Sequence, residues 1–235
     1  MSVSATLYKW ASQTAWSLYE LALASVRVIY VWGPPGTGKS FLAQSSDPSH
    51  EFESFTCNED LSVQEAMGMF SPSPSGLLWL DGPLTKAARH GKLLIVNEVA
   101  RSSQALLDFL LGLVDSGESA AFTLPNGETV RPHKNFRVIL TANESPEKLD
   151  TALQSRLDVV IEVADPHPAL IARLNREIPQ LGTLIAKSYA DRNPINPRHA
   201  LSYCARIKEG WPKEAAALAC FGPARCVDIH AALWS

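Results

Sequence analysis

The sequence predicts an α/β fold: a largely parallel sheet flanked by helices, followed by a small C-terminal helical segment. Three observations carry this. The octapeptide Gly33-Pro34-Pro35-Gly36-Thr37-Gly38-Lys39-Ser40 sits between a β-branched, aromatic run (residues 26–32) and a helix-compatible one (residues 41–44). Short apolar runs then alternate with helical patterns up to residue 163, the rhythm of βαβ units. From Ala169 onward the pattern is helical, interrupted by prolines at 179, 194, 197, 212 and 223. We therefore expect two domains, residues 1–165 and 166–235, with Asp165-Pro166-His167-Pro168 marking the change.

Residues 5–25 contain no Gly or Pro and carry Leu7, Trp10, Ala11, Leu18, Leu21 and Ala22, which predicts an amphipathic helix packed through those residues. Val26 to Trp32 reads as a buried strand. Glu51–Thr56 reads as a short strand and Leu61–Met69 as weakly helical. Ser71-Pro72-Ser73-Pro74-Ser75-Gly76 is expected to break regular structure. Leu77–Leu80 then reads as strand, Leu84–His90 as helix and Lys92–Val96 as a second buried strand. Gln104–Val114 is helical, and Pro125-Asn126-Gly127 between two short runs predicts a hairpin. Phe136–Thr141 and Asp158–Val163 are the remaining strands, separated by a helix around Asp150–Arg156.

The chain has 235 residues, 46% hydrophobic and 19% charged, with a net charge of −3, so no global basic footprint points to nucleic acid. No apolar run approaches bilayer length, and Met1-Ser2-Val3-Ser4 lacks the start of a signal peptide, so the expectation is a cytoplasmic protein without membrane contact. Cys57, Cys204, Cys220 and Cys226 show no C-x-x-C spacing and read as reduced thiols. Cys220, Cys226 and His230 are better explained as helix packing than as a metal site.

The octapeptide fits G-x-x-x-x-G-K-[ST] throughout, a loop for nucleoside polyphosphates. Gly33, Gly36 and Gly38 allow tight turns that bring N–H groups to phosphate oxygens, and the following helix aims its partly positive N-terminus at them. Lys39 reaches the β- and γ-phosphates, and the Ser40 hydroxyl can ligate Mg²⁺. Pro34, Pro35, Thr37 and Phe41 complete the candidate nucleotide-binding set. Hydrolysis also needs a group to polarise water, and Glu98, just past the Leu93–Val96 run, is the candidate. Its neighbour Asn97 stands where an aspartate is expected. It can accept a hydrogen bond from a Mg²⁺-bound water but brings no charge, so weaker cation binding is expected. A tolerated variant, a slow switch and an engineered change all fit this.

Together these motifs resemble an AAA+ ATPase, most closely the MoxR branch, with relatives among McrB-like, gas-vesicle and Rubisco-activation ATPases. The resemblance spans residues 25–200. Gly33–Ser40 resembles the Walker A loop, and Asn97-Glu98-Val99-Ala100-Arg101 resembles the D-E-x-N-R segment, departing at its first and fourth positions. Gly76–Pro83 looks like the insertion hairpin of this clade, and Ala120–Arg131 like the hairpin before sensor 1. Asn143 corresponds to the sensor 1 residue. Ala152-Leu153-Gln154-Ser155-Arg156-Leu157 resembles the arginine-finger segment with Leu157 in place of Phe, and Asn196-Pro197-Arg198 resembles the sensor 2 segment of a lid helix. The resemblance implies a P-loop NTPase sheet with a helical lid, ATP and Mg²⁺ as ligands, and catalytic roles for Lys39, Glu98, Asn143 and Arg156. Arg198 would join the nucleotide site, and Ser40 and Asn97 the metal site. Arg101 could face a subunit interface, with its role open. A hexameric ring and a partner carrying a von Willebrand factor A domain are implied as well.

The leading expectation is a ring-forming ATPase that remodels a partner protein. Three others compete with it. One is a nucleotide-gated assembly module with weak hydrolysis, and another is a McrB-like DNA motor. The third, a small-molecule kinase, leaves the hairpins, Asn143 and Arg156 without a role.

Overall fold

The computed structural model describes residues 15–46, 51–74, 76–115 and 120–234. They divide into two compact units. One comprises residues up to Gly33 and Lys39–Glu162, and the other Pro34–Gly38 together with Val163 onward.

The first unit is built on a five-stranded sheet ordered β2-β5-β8-β1-β9, in which every neighbouring pair is parallel. These strands are Phe52–Thr56 (β2), Leu93–Asn97 (β5), Arg137–Ala142 (β8), Val28–Trp32 (β1) and Val159–Glu162 (β9). The runs Val28–Val31, Leu93–Val96 and Val138–Ala142 are buried. Continuous burial is expected of parallel strands covered on both faces, and it explains why these segments do not alternate. Helices α4 (Pro83–His90) and α5 (Gln104–Val114) contribute Leu84, Ala87, Ala88, Leu106, Leu110 and Leu113 to the same core as β1, β5 and β8. Each such leucine is worth about 1.5–3 kcal/mol of burial. A consequence of parallel pairing is that all strands end on the same side. Register places Val31 beside Thr141 and Val96 beside Leu140, so Asn97 at the end of β5 neighbours Thr141 on β8.

Two sequence expectations are corrected in this unit. Helix α1 covers residues 15–25 among those described, and its core face is Trp16, Tyr19, Ala22 and Leu23. Leu18 and Leu21 are exposed, at 50% and 67%. The aromatic pair takes the inner face because Tyr19 can bury its ring and still donate its hydroxyl to Lys39 O at 3.1 Å. Leu7, Trp10 and Ala11 lie outside the described residues. The second correction is the Ser/Pro stretch. Short α3 (Val63–Met67) carries a complete capping box from Ser62 and Glu65, and the chain then enters β3 (Gly68–Ser73), antiparallel to β4 (Gly76–Asp81). The hairpin therefore starts well before Gly76. Pro72 is tolerated because a two-stranded ribbon is all edge, where a missing N–H costs no ladder bond. The predicted Asn126-Gly127 hairpin is present but small, pairing β6 (Phe122–Thr123) with β7 (Thr129–Val130).

The second unit is helical: α7 (Pro168–Glu177), α8 (Leu181–Ala190), α9 (Pro197–Lys208), α10 (Lys213–Phe221) and α11 (Pro223–Trp234). Its core includes Leu174, Leu181, Ile185, Tyr203 and Phe221. The Tyr203 and Phe221 rings lie 5.3 Å apart, and Trp234 Nε1 donates to Tyr203 Oη at 2.9 Å. Asn196 caps α9 by accepting from Arg198 N, with Pro197 at the first helical position.

Candidate functional site

Polar side chains converge where β1, β5 and β8 end. Lys39 opens α2 (Lys39–Ser45), is 8% exposed, and donates from Nζ to Gly33 O at 2.8 Å and to Asn143 Oδ1 at 3.4 Å. The same Asn143 donates from Nδ2 to Glu98 Oε2 at 3.1 Å and Oε1 at 3.4 Å. Asn143 thus links an ammonium to a carboxylate, presenting its oxygen to one and its nitrogen to the other. Ser40 Oγ donates to Asn97 Oδ1 at 2.5 Å, Thr141 Oγ1 donates to the same oxygen at 3.2 Å, and Asn97 Nδ2 donates to Phe55 O at 3.3 Å.

The backbone at this end of the sheet is specialised. Glu98 has φ 57° and ψ 40°, left-handed values that cost a non-glycine residue on the order of 1 kcal/mol. They turn the chain out of β5 into the 3₁₀ turn Val99–Arg101. Behind the tips, Tyr30 Oη donates to Glu144 O at 2.7 Å, and burial followed by the Glu144 charge keeps this phenol protonated far above neutral pH. Cys57 N donates to Asn97 O at 2.8 Å, and burial raises the Cys57 thiol, which suits an inert packing role.

The loop residues Pro34–Gly38 are held within the helical unit. His167 N donates to Thr37 O at 2.9 Å, Tyr189 Oη to Pro35 O at 3.4 Å, and Thr37 Oγ1 to Pro34 O at 3.0 Å. Gly36 has φ +80°, and a Cβ built there would overlap Asn196 Oδ1. Conformation and space both demand glycine at this position.

The structure therefore brings Gly33, Lys39, Ser40, Asn97, Glu98 and Asn143 together. Phe41 is exposed at 68% and makes no part of this cluster. Arg156, just past α6 (Thr151–Gln154), donates from Nη1 to Ala152 O at 3.0 Å and pairs from Nη2 with Asp115 at 3.3 Å. Its Nε is buried without a hydrogen-bond partner among the described residues. Arg198 and Arg101 are exposed. Two partners escaped the sequence reading: Thr141, a hydroxyl that follows the apolar run Val138–Leu140, and Tyr19, an aromatic on the inner face of α1. The Thr141-Ala142-Asn143 run carried a signal for the first, since a threonine buried beside a strand tip needs a polar partner. Among the described residues no cluster of three or more His, Cys, Asp or Glu side chains could hold a metal. A divalent cation arriving with a polyphosphate fits what is present, because Mg²⁺ keeps waters and phosphate oxygens and needs few protein ligands.

A five-stranded parallel sheet with a phosphate loop after β1, and polar tips on β5 and β8, defines a P-loop nucleotide-binding protein. The chain belongs to the AAA domain family (dynein-related subfamily), whose model matches residues 29–157. It is 29% identical over 127 residues to Protein CbbQ of Hydrogenophilus thermoluteolus, covering 53% of this chain and 47% of that protein. Denitrification regulatory protein NirQ of Stutzerimonas stutzeri is 27% identical over 134 residues, covering 56% and 48%. These similarities group the chain with MoxR-like AAA+ ATPases, a family whose members bind ATP. The fold matches NtrX from Brucella abortus in complex with ADP at a TM-score of 0.59 and 16% identity, covering 93% of this chain and 54% of that one. The matched part of this chain spans about half the length of these relatives. Among the described residues no helix is long and apolar enough to cross a membrane.

Proposed function

We propose that this chain binds and hydrolyses ATP as a subunit of a ring, and uses the cycle to remodel a partner protein. The observation that carries the reading is the chain of contacts from Lys39 through Asn143 to Glu98 at the strand tips. In this reading Gly33–Ser40 holds the phosphates and Lys39 neutralises their charge. Glu98 polarises the attacking water, and Asn143 keeps Lys39 and Glu98 in register. Mg²⁺ would be held by the nucleotide with Ser40 and Asn97 on the protein side, and it would offset charge on the phosphate oxygens. Arg198, at the start of α9 in the same unit as Pro34–Gly38, is proposed as the lid arginine, and residues 166–235 as the lid.

AAA+ proteins typically form oligomeric rings. We assign Arg156 to a neighbouring subunit's site, where an arginine supplied in trans is worth roughly 10³–10⁵ in rate. Support comes from its position, tied to Asp115 rather than to the cluster of its own chain. The test is mass with and without ATP and Mg²⁺, alongside turnover of Arg156→Ala. A chain that stays monomeric and whose turnover ignores that change sinks the ring mechanism. A partner carrying a von Willebrand factor A domain is the first to try, and salt-dependent DNA binding would instead favour a McrB-like motor.

A second reading is a nucleotide-gated assembly module, favoured by the neutral side chain of Asn97. A large gain in steady-state turnover for Asn97→Asp supports gating, whereas no gain means that the amide suffices.

A further inference from the structure

Thr141 is 3% exposed on a strand whose neighbours Val138, Ile139 and Leu140 are all apolar. Burying a hydroxyl there is costly without a partner. Its partner is Asn97 Oδ1, which also accepts from Ser40, while Asn97 Nδ2 donates to Phe55 O. A backbone carbonyl can only accept, so Phe55 O dictates which end of the carboxamide is nitrogen. The oxygen end must then face the two hydroxyls, and both must donate. A carboxamide oxygen has two lone pairs, and Ser40 and Thr141 occupy both.

This arrangement settles the polarity of Ser40. Its hydrogen is committed to Asn97, which leaves its own lone pairs for a cation. Were the carboxamide reversed, Nδ2 would consume a Ser40 lone pair and the Ser40 hydrogen would point at the cation instead. A neutral residue thereby performs the orienting half of an aspartate's work.

We propose that Thr141 is a positioning residue for Ser40. Phe55 O sets which end of the Asn97 carboxamide is nitrogen, and Thr141 clamps the oxygen end in place, so that the Ser40 hydroxyl is held with its lone pairs turned toward the Mg²⁺ of a bound nucleotide. The proposal rests on the nucleotide-hydrolase reading above. It also narrows the role given above to Asn97 in holding Mg²⁺: its oxygen acts through Ser40, by orientation, and not as a direct acceptor from a metal-bound water.

The experiment compares the affinity of a fluorescent ATP analogue in excess EDTA with its affinity in Mg²⁺, for the native chain, Thr141→Val and Thr141→Ser. The readout is the ratio of the two affinities, independent of turnover. Thr141→Val is expected to keep the EDTA affinity within about twofold while lowering the Mg²⁺-dependent gain about three- to tenfold, the size of one hydrogen bond. Thr141→Ser, which keeps the hydroxyl, restores the native ratio. An unchanged ratio in Thr141→Val overturns the proposal. So does equal loss in Thr141→Ser, or a parallel fall of both affinities, which marks a merely structural role. Should Thr141→Val fail to melt cooperatively, Thr141→Ala replaces it under the same outcomes. A native chain with no affinity for the analogue in either condition sinks the nucleotide reading and this proposal together. Native Mg²⁺-dependent binding that ignores Thr141→Val sinks the role of Thr141 alone.

Discussion

The strand tips and the β3–β4 hairpin belong to the same unit and treat their side chains in opposite ways. At the tips, Lys39, Asn97, Glu98, Thr141 and Asn143 are buried or half-buried, and each bonds to at least one other polar group. On the hairpin, Met69, Leu77, Leu78 and Leu80 are exposed at 61%, 72%, 55% and 45%. Phe70 and Trp79 stack edge-to-face with centroids 5.1 Å apart, which stiffens the ribbon without covering those leucines. The tips turn their polar groups toward one another. The hairpin instead turns apolar side chains outward. A buried polar cluster and an exposed apolar surface are thus separated within one unit.

That separation can be broken by substitution, and the largest effect belongs at the tips. Glu98→Gln should lower ATP turnover by roughly 10²–10⁴ while leaving nucleotide affinity in place, as read by steady-state kinetics beside equilibrium binding. If turnover survives, Glu98 is not the group that polarises water. Gly36→Ala should follow, costing about 1–3 kcal/mol through its positive φ and its overlap with Asn196, visible as a drop in melting temperature. Arg89→Ala comes next. Arg89 pairs with Asp81 at the end of β4 through Nε at 2.7 Å, and with Glu128 in the second hairpin through both terminal nitrogens, Nη2 at 2.7 Å. Solvent-screened pairs of this kind contribute little to stability, so only a small drop in melting temperature is expected. Arg89 holds the Glu128 carboxyl below the usual carboxylate range. The tie is therefore intact at neutral pH and is lost as pH falls through that lowered value, which a carboxylate NMR titration of native chain and variant would reveal. The smallest effect is expected from the hairpin surface itself. Leu77→Ser with Leu78→Ser should shift stability by no more than about 0.5 kcal/mol and leave nucleotide binding unchanged. Substantial loss of nucleotide binding in that variant would end the distinction between the two regions.

Much of the sheet was legible in the sequence because its signals are local. Val28–Trp32, Leu93–Asn97 and Arg137–Ala142 are apolar runs bounded by polar or glycine residues, and the phosphate loop has fixed spacing. The family resemblance was legible for the same reason. What escaped depends on partners distant in sequence. Pro72 reads as a breaker until β4 supplies a second strand that does not need its N–H. Leu18 and Leu21 read as core until Tyr19 claims the inner face. Asn97 reads as a defect when seen alone. Its oxygen is shared by residues 57 and 44 positions away, and its nitrogen is engaged 42 positions away, none of which a local pattern reveals.

The left-handed backbone of Glu98 carries one last consequence. Replacement by glycine would relieve that backbone cost, remove the two bonds from Asn143 and silence the proposed chemistry. Glutamate is thus kept in a conformation that glycine would adopt more readily, and what it supplies there is a carboxylate bonded to Asn143.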